Sequence, residues 1–181
     1  MYQFNYHKPS DLAEAVALFR ESDDPMYLSG GMTLLATMKQ RLAAPTDLID
    51  LSGIAEMTGI SVDSGSVRVG AFTTHNTVVE SAEIQKTLPV LSQLAAEIGD
   101  NQVRNRGTIG GSLANSDPSA DYPAAVVGLG ATVHTQERSI SGDEFFQDLF
   151  ETALQPGEIV TVISLETMVV HEKRRIMSGR A

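Results

Sequence analysis

The stretch Gly107-Thr-Ile-Gly-Gly-Ser-Leu-Ala-Asn115, with the polar segment 98–106 before it, is the centre of this sequence. Three glycines in five residues, together with neighbouring hydroxyls, favour a backbone that takes up positive φ angles, lies close to a ligand and points consecutive N–H groups inward. No Lys follows the glycines, which distinguishes the stretch from the phosphate loop of nucleotide hydrolases. Because the hydrogen-bond donors of the stretch are neutral amides and hydroxyls, they favour a bound diphosphate that stays intact, as in a dinucleotide cofactor. A glycine-rich turn between two elements is the alternative interpretation.

A second glycine pair lies in Tyr27-Leu-Ser-Gly-Gly-Met-Thr33. The apolar run Met26–Leu28 before it predicts a short strand, and the spacing of apolar residues after it predicts a helix over 33–41. A strand, a glycine turn and a helix N-terminus bring free amides and the positive end of a helix dipole to one point. Two such points can hold one diphosphate from two sides.

Composition narrows the classes of protein that the chain can represent. Its 181 residues suffice for one domain or two small ones, with 42% hydrophobic and 20% charged residues, as is ordinary for soluble globular proteins. A formal net charge of −10 argues against nucleic acid and anionic membranes as partners. No residue is Cys, which excludes thiolate iron–sulfur ligation, disulfides and cysteine catalysis within this chain.

The histidines and the apolar runs of the sequence lead to two further expectations. The four His residues are too dispersed to suggest a metal site, and each is expected to be a surface or satisfied polar residue. No apolar run is long enough to cross a bilayer and no Sec-type signal begins the chain, so a cytoplasmic location is expected.

The first fifty residues predict the order β-α-β-α-β, a small α/β subdomain. Residues 2–6 alternate like a strand, Ser10 is the expected N-cap of the first helix, and 47–51 form a third strand. After residue 54 the pattern changes to hairpin strands around 60–62 and 67–69, a short helix near 76–81 and a longer helix from Leu88-Pro89 to Gly99. Further strands are expected at 131–135, 139–141 and 159–165, with a short helix from Tyr122 whose N-cap candidate is Asp121.

The two glycine segments and the following Asp117-Pro-Ser-Ala-Asp121 closely resemble the FAD-binding subunit of molybdenum hydroxylases. This is the family of the medium subunit of aerobic carbon monoxide dehydrogenase and of the flavin domain of xanthine dehydrogenase. The resemblance spans about residues 1–165 in the same order and spacing. It implies an α+β fold of the PCMH or vanillyl-alcohol-oxidase type, with subdomains at 1–53 and 54–166 and FAD between them.

The resemblance also implies positions for the cofactor-binding residues, and it implies no catalytic side chain and no metal ligand in this chain. In that comparison the residues are Leu28, Ser29, Gly30, Gly31, Met32, Thr33, Leu34 and Leu35 in a first diphosphate loop, Thr108, Ile109, Gly110, Gly111 and Ser112 in a second, Ile98 beside the flavin or its ribityl chain, and Asp121 at the adenosine or ribityl hydroxyls. Ile98 as plain core and Asp121 as a helix N-cap stay open as alternatives.

In the resembling enzymes a molybdenum centre hydroxylates the substrate, and electrons pass through [2Fe–2S] clusters to FAD and then to an acceptor. Because this chain has no Cys, the resemblance implies that the clusters belong to a small iron–sulfur subunit and the molybdenum cofactor to a large subunit. A self-sufficient flavin oxidoreductase of the same fold, resembling the wider oxidase or MurB families, is the first alternative. A non-catalytic interaction module is the second.

The sequence departs from the family pattern after residue 166. The segment 167–181 ends in Ser178-Gly-Arg-Ala181 and has no apolar periodicity, so we expect an atypical tail in place of the family's C-terminal domain. Apolar surface left exposed by such a change would favour self-association or partner docking, including a homo-oligomer.

Overall fold

The computed structural model of the chain describes residues 1–63 and 65–167, and its strands form two main sheets. The first sheet is parallel, with the spatial order β1-β3-β2. Its strands and the two helices that connect them are β1 (Asn5–His7), α1 (Leu12–Glu21), β2 (Pro25–Leu28), α2 (Leu34–Lys39) and β3 (Asp47–Asp50). This confirms the predicted order β-α-β-α-β, although the first strand begins three residues later than expected and α2 is shorter at both ends.

Asp11, not Ser10, caps helix α1. The Asp11 backbone is extended, with φ −147°, and its carboxylate accepts a hydrogen bond of 2.8 Å from the Glu14 amide. The Glu14 carboxylate in turn accepts from the Ser10 amide at 2.8 Å. The N-cap predicted at Ser10 is therefore wrong by one residue. The Asp11 carboxylate accepts from an amide of the first helical turn, and the Glu14 carboxylate accepts from the Ser10 amide before the helix.

The second sheet is antiparallel and has five strands in the order β4-β5-β10-β6-β7. Its strands are β4 (Ile60–Asp63), β5 (Ser66–Gly70), β6 (Thr132–Thr135), β7 (Ser139–Ser141) and β10 (Val160–Glu166), and a separate two-stranded hairpin consists of β8 (Phe146–Asp148) and β9 (Glu151–Thr152). The helices of this part are α3 (His75–Glu80), α4 (Ala82–Thr87), α5 (Pro89–Ala96), α6 (Asn101–Arg106), α7 (Ile109–Asn115), α8 (Tyr122–Gly128) and α9 (Gly142–Phe145). The predicted β4–β5 hairpin and the strands β6, β7 and β10 are confirmed.

The central glycine stretch is helical where the sequence predicted a loop. Asp100 caps α6 by accepting from the amide of Gln102 at 2.6 Å, and the Thr108 hydroxyl caps α7 by accepting from the amide of Gly111 at 3.1 Å. Only Gly107 and Thr108 separate the two helices. The positive φ angles expected at Gly107, Gly110 and Gly111 are not found, because short polar side chains cap two helices there.

The larger apolar core lies under the five-stranded sheet and the helices packed on it, whereas a smaller cluster of Leu28, Met38 and Leu48 lies between the first sheet and α2. Within the described residues no helix is both long and apolar enough to cross a membrane. Of the predicted tail, all but Thr167 lies outside the described residues.

The two sheets are joined by side chains of β2 and α1. The Tyr27 hydroxyl donates to the Gly157 carbonyl at 3.2 Å, and the rings of Phe19 and Tyr27 stack with their centroids 4.8 Å apart. Gly157 has a φ of 82° and lies against the Phe19 ring, where a β-carbon would come within 3.1 Å of it. These contacts fix the first sheet against the loop before β10.

Candidate functional site: a cavity between two glycine segments

A cavity of about 640 Å³ lies between Ser29–Leu34, here called the first glycine segment, and Gly107–Ser112, here called the second glycine segment. Its volume is in the range of small-molecule and cofactor sites. Residues before α6, between α7 and α8, and at the start of β10 complete the wall. The cavity therefore occupies the place where both sheets and both glycine segments meet.

The first glycine segment lines this cavity and contains a run of unpaired amides among the described residues. Gly31 has a φ of 75°, which turns the chain from β2 into α2. The amides of residues 30–34 have no hydrogen-bond acceptor within the described part of the chain, and the first helical bond of α2 is donated by the Leu35 amide to the Gly31 carbonyl at 3.1 Å. Successive unpaired N–H groups around a left-handed residue form an anion-binding concavity.

The second glycine segment uses its amides internally. The Ile109 amide donates to the Thr73 carbonyl at 3.1 Å, and the Gly110 amide donates to the Ala71 carbonyl at 2.9 Å. With the Gly111 amide held by Thr108, the first three amides of α7 are all occupied. The expectation of consecutive free N–H groups in this stretch is therefore wrong.

The glycines of the second segment are required instead for close packing. A β-carbon on Gly110 would lie 2.5 Å from the Ala71 β-carbon, and one on Gly107 would lie 2.6 Å from Nε2 of His75. Real β-carbons do not approach other atoms so closely, so only glycine allows the segment to lie against these neighbours.

The two segments touch each other directly. A β-carbon on Gly30 would lie 2.8 Å from the Gly107 α-carbon and 2.1 Å from the carbonyl oxygen of Arg106, which precedes the second segment, so the backbones are in contact there. Beside this contact the hydroxyls of Ser29 and Thr108 are 2.7 Å apart. Since the Thr108 oxygen already accepts from the Gly111 amide, it can donate its proton to Ser29, which leaves the Ser29 proton for a ligand.

The charged side chains that line the cavity are all acidic. No Lys or Arg is among its lining residues in the described part of the chain, whereas Asp117, Asp121 and Glu158 are. The Glu158 carboxylate accepts from Arg138 Nε at 2.9 Å, and this partner lowers the pKa of Glu158 to about 2. Among the described residues, amide and hydroxyl dipoles are therefore the groups of the wall that can hold an anionic ligand.

Asp121 precedes α8 but does not cap it. Its backbone is helical and its side chain makes no capping hydrogen bond, so the interpretation as a side-chain N-cap is wrong. The exposed carboxylate lines the cavity and is available to accept hydrogen bonds from hydroxyl groups.

Most of the residues predicted from the sequence lie around the cavity, and three do not. Those that line it are Ser29, Gly30, Gly31, Met32, Thr33, Leu34, Ile98, Thr108, Gly110, Gly111, Ser112 and Asp121. Leu28 belongs to the smaller core, with Leu35 packed against it, and Ile109 belongs to the larger core. Ile98 is half-buried and lines the cavity, while its carbonyl accepts from the Arg104 guanidinium.

Several lining residues were not predicted from the sequence, and two of them, His75 and Tyr122, are buried polar residues. His75 is 5% exposed and its Nδ1 has no hydrogen-bond partner, so the expectation of a surface or satisfied residue is wrong. Burial lowers the pKa of His75 to about 4. Tyr122 is 1% exposed, its hydroxyl is also without a partner, and burial raises its pKa. In the sequence, the available signal for each residue was its position at the start of a helix: His75 follows Thr74, and Tyr122 follows Asp121.

Comparison with known proteins identifies relatives over nearly the whole chain. A family model described as FAD binding domain in molybdopterin dehydrogenase matches residues 2–165. The carbon monoxide dehydrogenase medium chain of Afipia carboxidovorans is 37% identical over 167 residues, which are 90% of this chain and 58% of that one.

Solved structures agree with this comparison. The carbon monoxide dehydrogenase of Hydrogenophaga pseudoflava matches with a TM-score of 0.87 at 38% identity, covering 91% of this chain and 59% of that chain. Quinoline 2-oxidoreductase from Pseudomonas putida 86 matches with a TM-score of 0.88 at 32% identity, covering 91% and 59%. The predicted fold is confirmed, and the chain spans less than three fifths of the length of each of these relatives.

Proposed function

The chain belongs to the family of FAD-binding domains of molybdopterin dehydrogenases, and we propose that it binds FAD in the cavity as the electron-transfer part of a molybdenum hydroxylase. Electrons would enter from [2Fe–2S] clusters and leave to an acceptor. FAD is the cofactor of this family, and its relatives are oxidoreductase subunits.

The observation that carries the proposal is the row of amides in the first glycine segment that have no partner among the described residues, beside a cavity whose described lining has no cationic side chain. Such a site suits a diphosphate that stays intact, because no Lys or Arg of residues 1–63 and 65–167 lines it to stabilise a leaving phosphate. The residues present therefore fit FAD.

We propose positions along the cavity wall for several parts of the cofactor. Amides of 30–34, with the hydroxyls of Ser29 and Thr33, would hold the diphosphate, and the Ser112 hydroxyl lies on the opposite wall. Ile98 would pack along the flavin or its ribityl chain, and Asp121 would accept hydrogen bonds from adenosine or ribityl hydroxyls. Leu28, Leu35 and Ile109 would act only by supporting the two segments from the core.

When bound, FAD supplies the redox chemistry, because its ring exchanges electrons one or two at a time. The chain's own residues bind the diphosphate, orient the cofactor and cover part of it from water. We assign no acid, base or metal ligand to the chain. Since it contains no Cys, the iron–sulfur clusters would reside on a small partner subunit and the molybdenum cofactor on a large one. A cytoplasmic complex and a homo-oligomer stay predictions.

FAD binding is tested by a titration of the purified chain followed by gel filtration. We expect the flavin absorption bands to travel with the protein, and ADP to compete because it shares the diphosphate. A folded protein that retains no flavin at saturating FAD would contradict the proposal.

The electron-transfer role needs its own experiment, because FAD binding alone is shared with self-sufficient flavoproteins. Co-expression with candidate large and small subunits should give a complex in which anaerobic reduction of the iron–sulfur chain bleaches the flavin band. A matched complex with Cys ligands of the small subunit replaced by Ser should leave the flavin oxidised. Flavin reduction that is equally fast without the clusters would favour the self-sufficient alternative.

A further inference from the structure

The inner wall of the cavity contains two buried polar atoms that have no partner. Nδ1 of His75 and the Tyr122 hydroxyl are the buried side-chain polar atoms without a hydrogen bond in the described part of the chain, and both residues line the cavity. Their rings lie 5.2 Å apart with an interplanar angle of 32°. Leaving such a group unpaired is costly, so two at one place indicate a ligand contact.

The rest of the fold holds the backbones of both residues in place, and no hydrogen bond holds the two polar atoms. The His75 amide donates to the Gly107 carbonyl at 3.0 Å, and its ring lies beneath Gly107. Tyr122 is the first residue of α8, which packs against α5 and α7. The pair therefore lies between the second glycine segment and Asp121.

The protonation states of the two side chains restrict what they can bind. Burial lowers the pKa of His75 to about 4, and burial together with the Asp121 carboxylate raises that of Tyr122, so both are neutral near pH 7. A neutral imidazole nitrogen either accepts or donates, and a phenol hydroxyl does both. Among the oxygen atoms of FAD, a sugar hydroxyl matches this pair in either imidazole tautomer, because it both donates and accepts. A phosphate oxygen only accepts.

We propose that His75 Nδ1 and the Tyr122 hydroxyl bind one sugar hydroxyl of the bound cofactor, on its ribityl chain or its ribose, and so position the cofactor. This inference rests on the proposed binding of FAD. Because neither atom is open to solvent, binding must turn these side chains toward the cavity. His75 and Tyr122 are positioning residues and take no part in electron transfer.

Tyr122→Phe is the sharpest variant, because it removes one hydroxyl and leaves the ring in place. Without a ligand, the variant should be at least as heat-stable as the wild type, since it removes an unpaired buried group. With FAD, calorimetry should show binding that is weaker by about three- to tenfold. A purely structural role would move both quantities in the same direction. His75→Gln should weaken FAD binding similarly, and Tyr6→Phe deletes a phenol hydroxyl outside the cavity as the matched control.

FMN and ADP separate the two possible hydroxyls, because FMN has only the ribityl chain and ADP only the ribose. Weaker FMN binding by Tyr122→Phe with unchanged ADP binding identifies the ribityl chain, and the reverse identifies the ribose. FAD affinity unchanged in both variants, or FMN and ADP affinities both unchanged, would overturn the inference while leaving the proposed function intact. Wild-type protein that binds no FAD would overturn the proposed function and this inference with it.

Discussion

The two glycine segments have similar compositions but different physical roles. In the first, Gly31 has a φ of 75° and the amides of residues 30–34 have no partner in the part of the chain that the structure describes. In the second, no glycine has a positive φ, and the amides of residues 109–111 are bonded to Thr73, Ala71 and Thr108. The first segment can bind an anion through its backbone, whereas the second allows close packing. A glycine-rich motif therefore does not by itself say which groups meet the ligand.

The largest expected effect is at Gly30, where the two segments touch. A β-carbon there would meet the Arg106 carbonyl at 2.1 Å, so Gly30→Ala must separate the backbones. We expect FAD affinity to fall by about a hundredfold or more, equivalent to roughly 3 kcal/mol. Calorimetric titration measures this. Gly99→Ala is the control, since a β-carbon there meets no atom within 4 Å; equal affinities for the two variants would show that the contact is unimportant.

Gly110→Ala separates the packing role from the binding role. Alanine normally stabilises a helix interior relative to glycine by about 0.5–1 kcal/mol. Here a β-carbon would lie 2.5 Å from that of Ala71, so we expect a loss of about 1–3 kcal/mol in the free energy of unfolding. Urea denaturation of the ligand-free chain checks the sign. Adding Ala71→Gly should restore part of the loss, and a stabilised Gly110→Ala variant would refute the packing role.

Acid should weaken the second segment more than the first. His75, which lies beneath Gly107, has a pKa of about 4 in the fold against 6.5 as its ordinary value. Its contribution to stability is complete above about pH 6.5 and is lost as the pH falls toward 4. At pH 5 the loss is about 2 kcal/mol. Unfolding at both pH values should show this loss in the wild type and a smaller one in His75→Gln; parallel losses would exclude His75 as the cause.

The smallest effects are expected from the two serines on opposite walls. Ser29 contacts Thr108 and faces the cavity, whereas no hydrogen bond of the Ser112 side chain is found within the described residues. Ser29→Ala should reduce both thermal stability and FAD affinity, the latter about two- to tenfold. Ser112→Ala should reduce affinity by a similar factor without changing the melting temperature. A drop in stability with Ser112→Ala would mean that its hydroxyl has a structural role.

The sequence predicted the elements of the fold well, because apolar periodicity and turn residues are local signals. The strands β2 to β5 and the helices α3, α5 and α8 follow from them. Helix α6 was missed, since its residues 101–106 are polar and only the cap at Asp100 marks its start. The state of the amides in the second glycine segment could not be predicted, because their acceptors at Ala71 and Thr73 are more than thirty residues away.

Residues that line the cavity could be predicted from the sequence where they belong to a glycine motif, and could not where they lie there because of burial. Ser29 to Leu34 are identified by the glycine pair. His75 gave no such signal, because a single His in a helical stretch is usually a satisfied polar residue. Only the folded structure shows that His75 Nδ1 is buried without a hydrogen-bond partner, where the second segment lies against its ring.

The contact of Tyr27 with Gly157 and the stacking of Phe19 on Tyr27 have a consequence for how a cofactor would be retained. Together with the backbone contact at Gly30, they join the cavity walls on two sides. Under the proposed function, FAD would lie between walls that the chain itself joins. Its residence time would then depend on these contacts between the walls as well as on the groups that touch it.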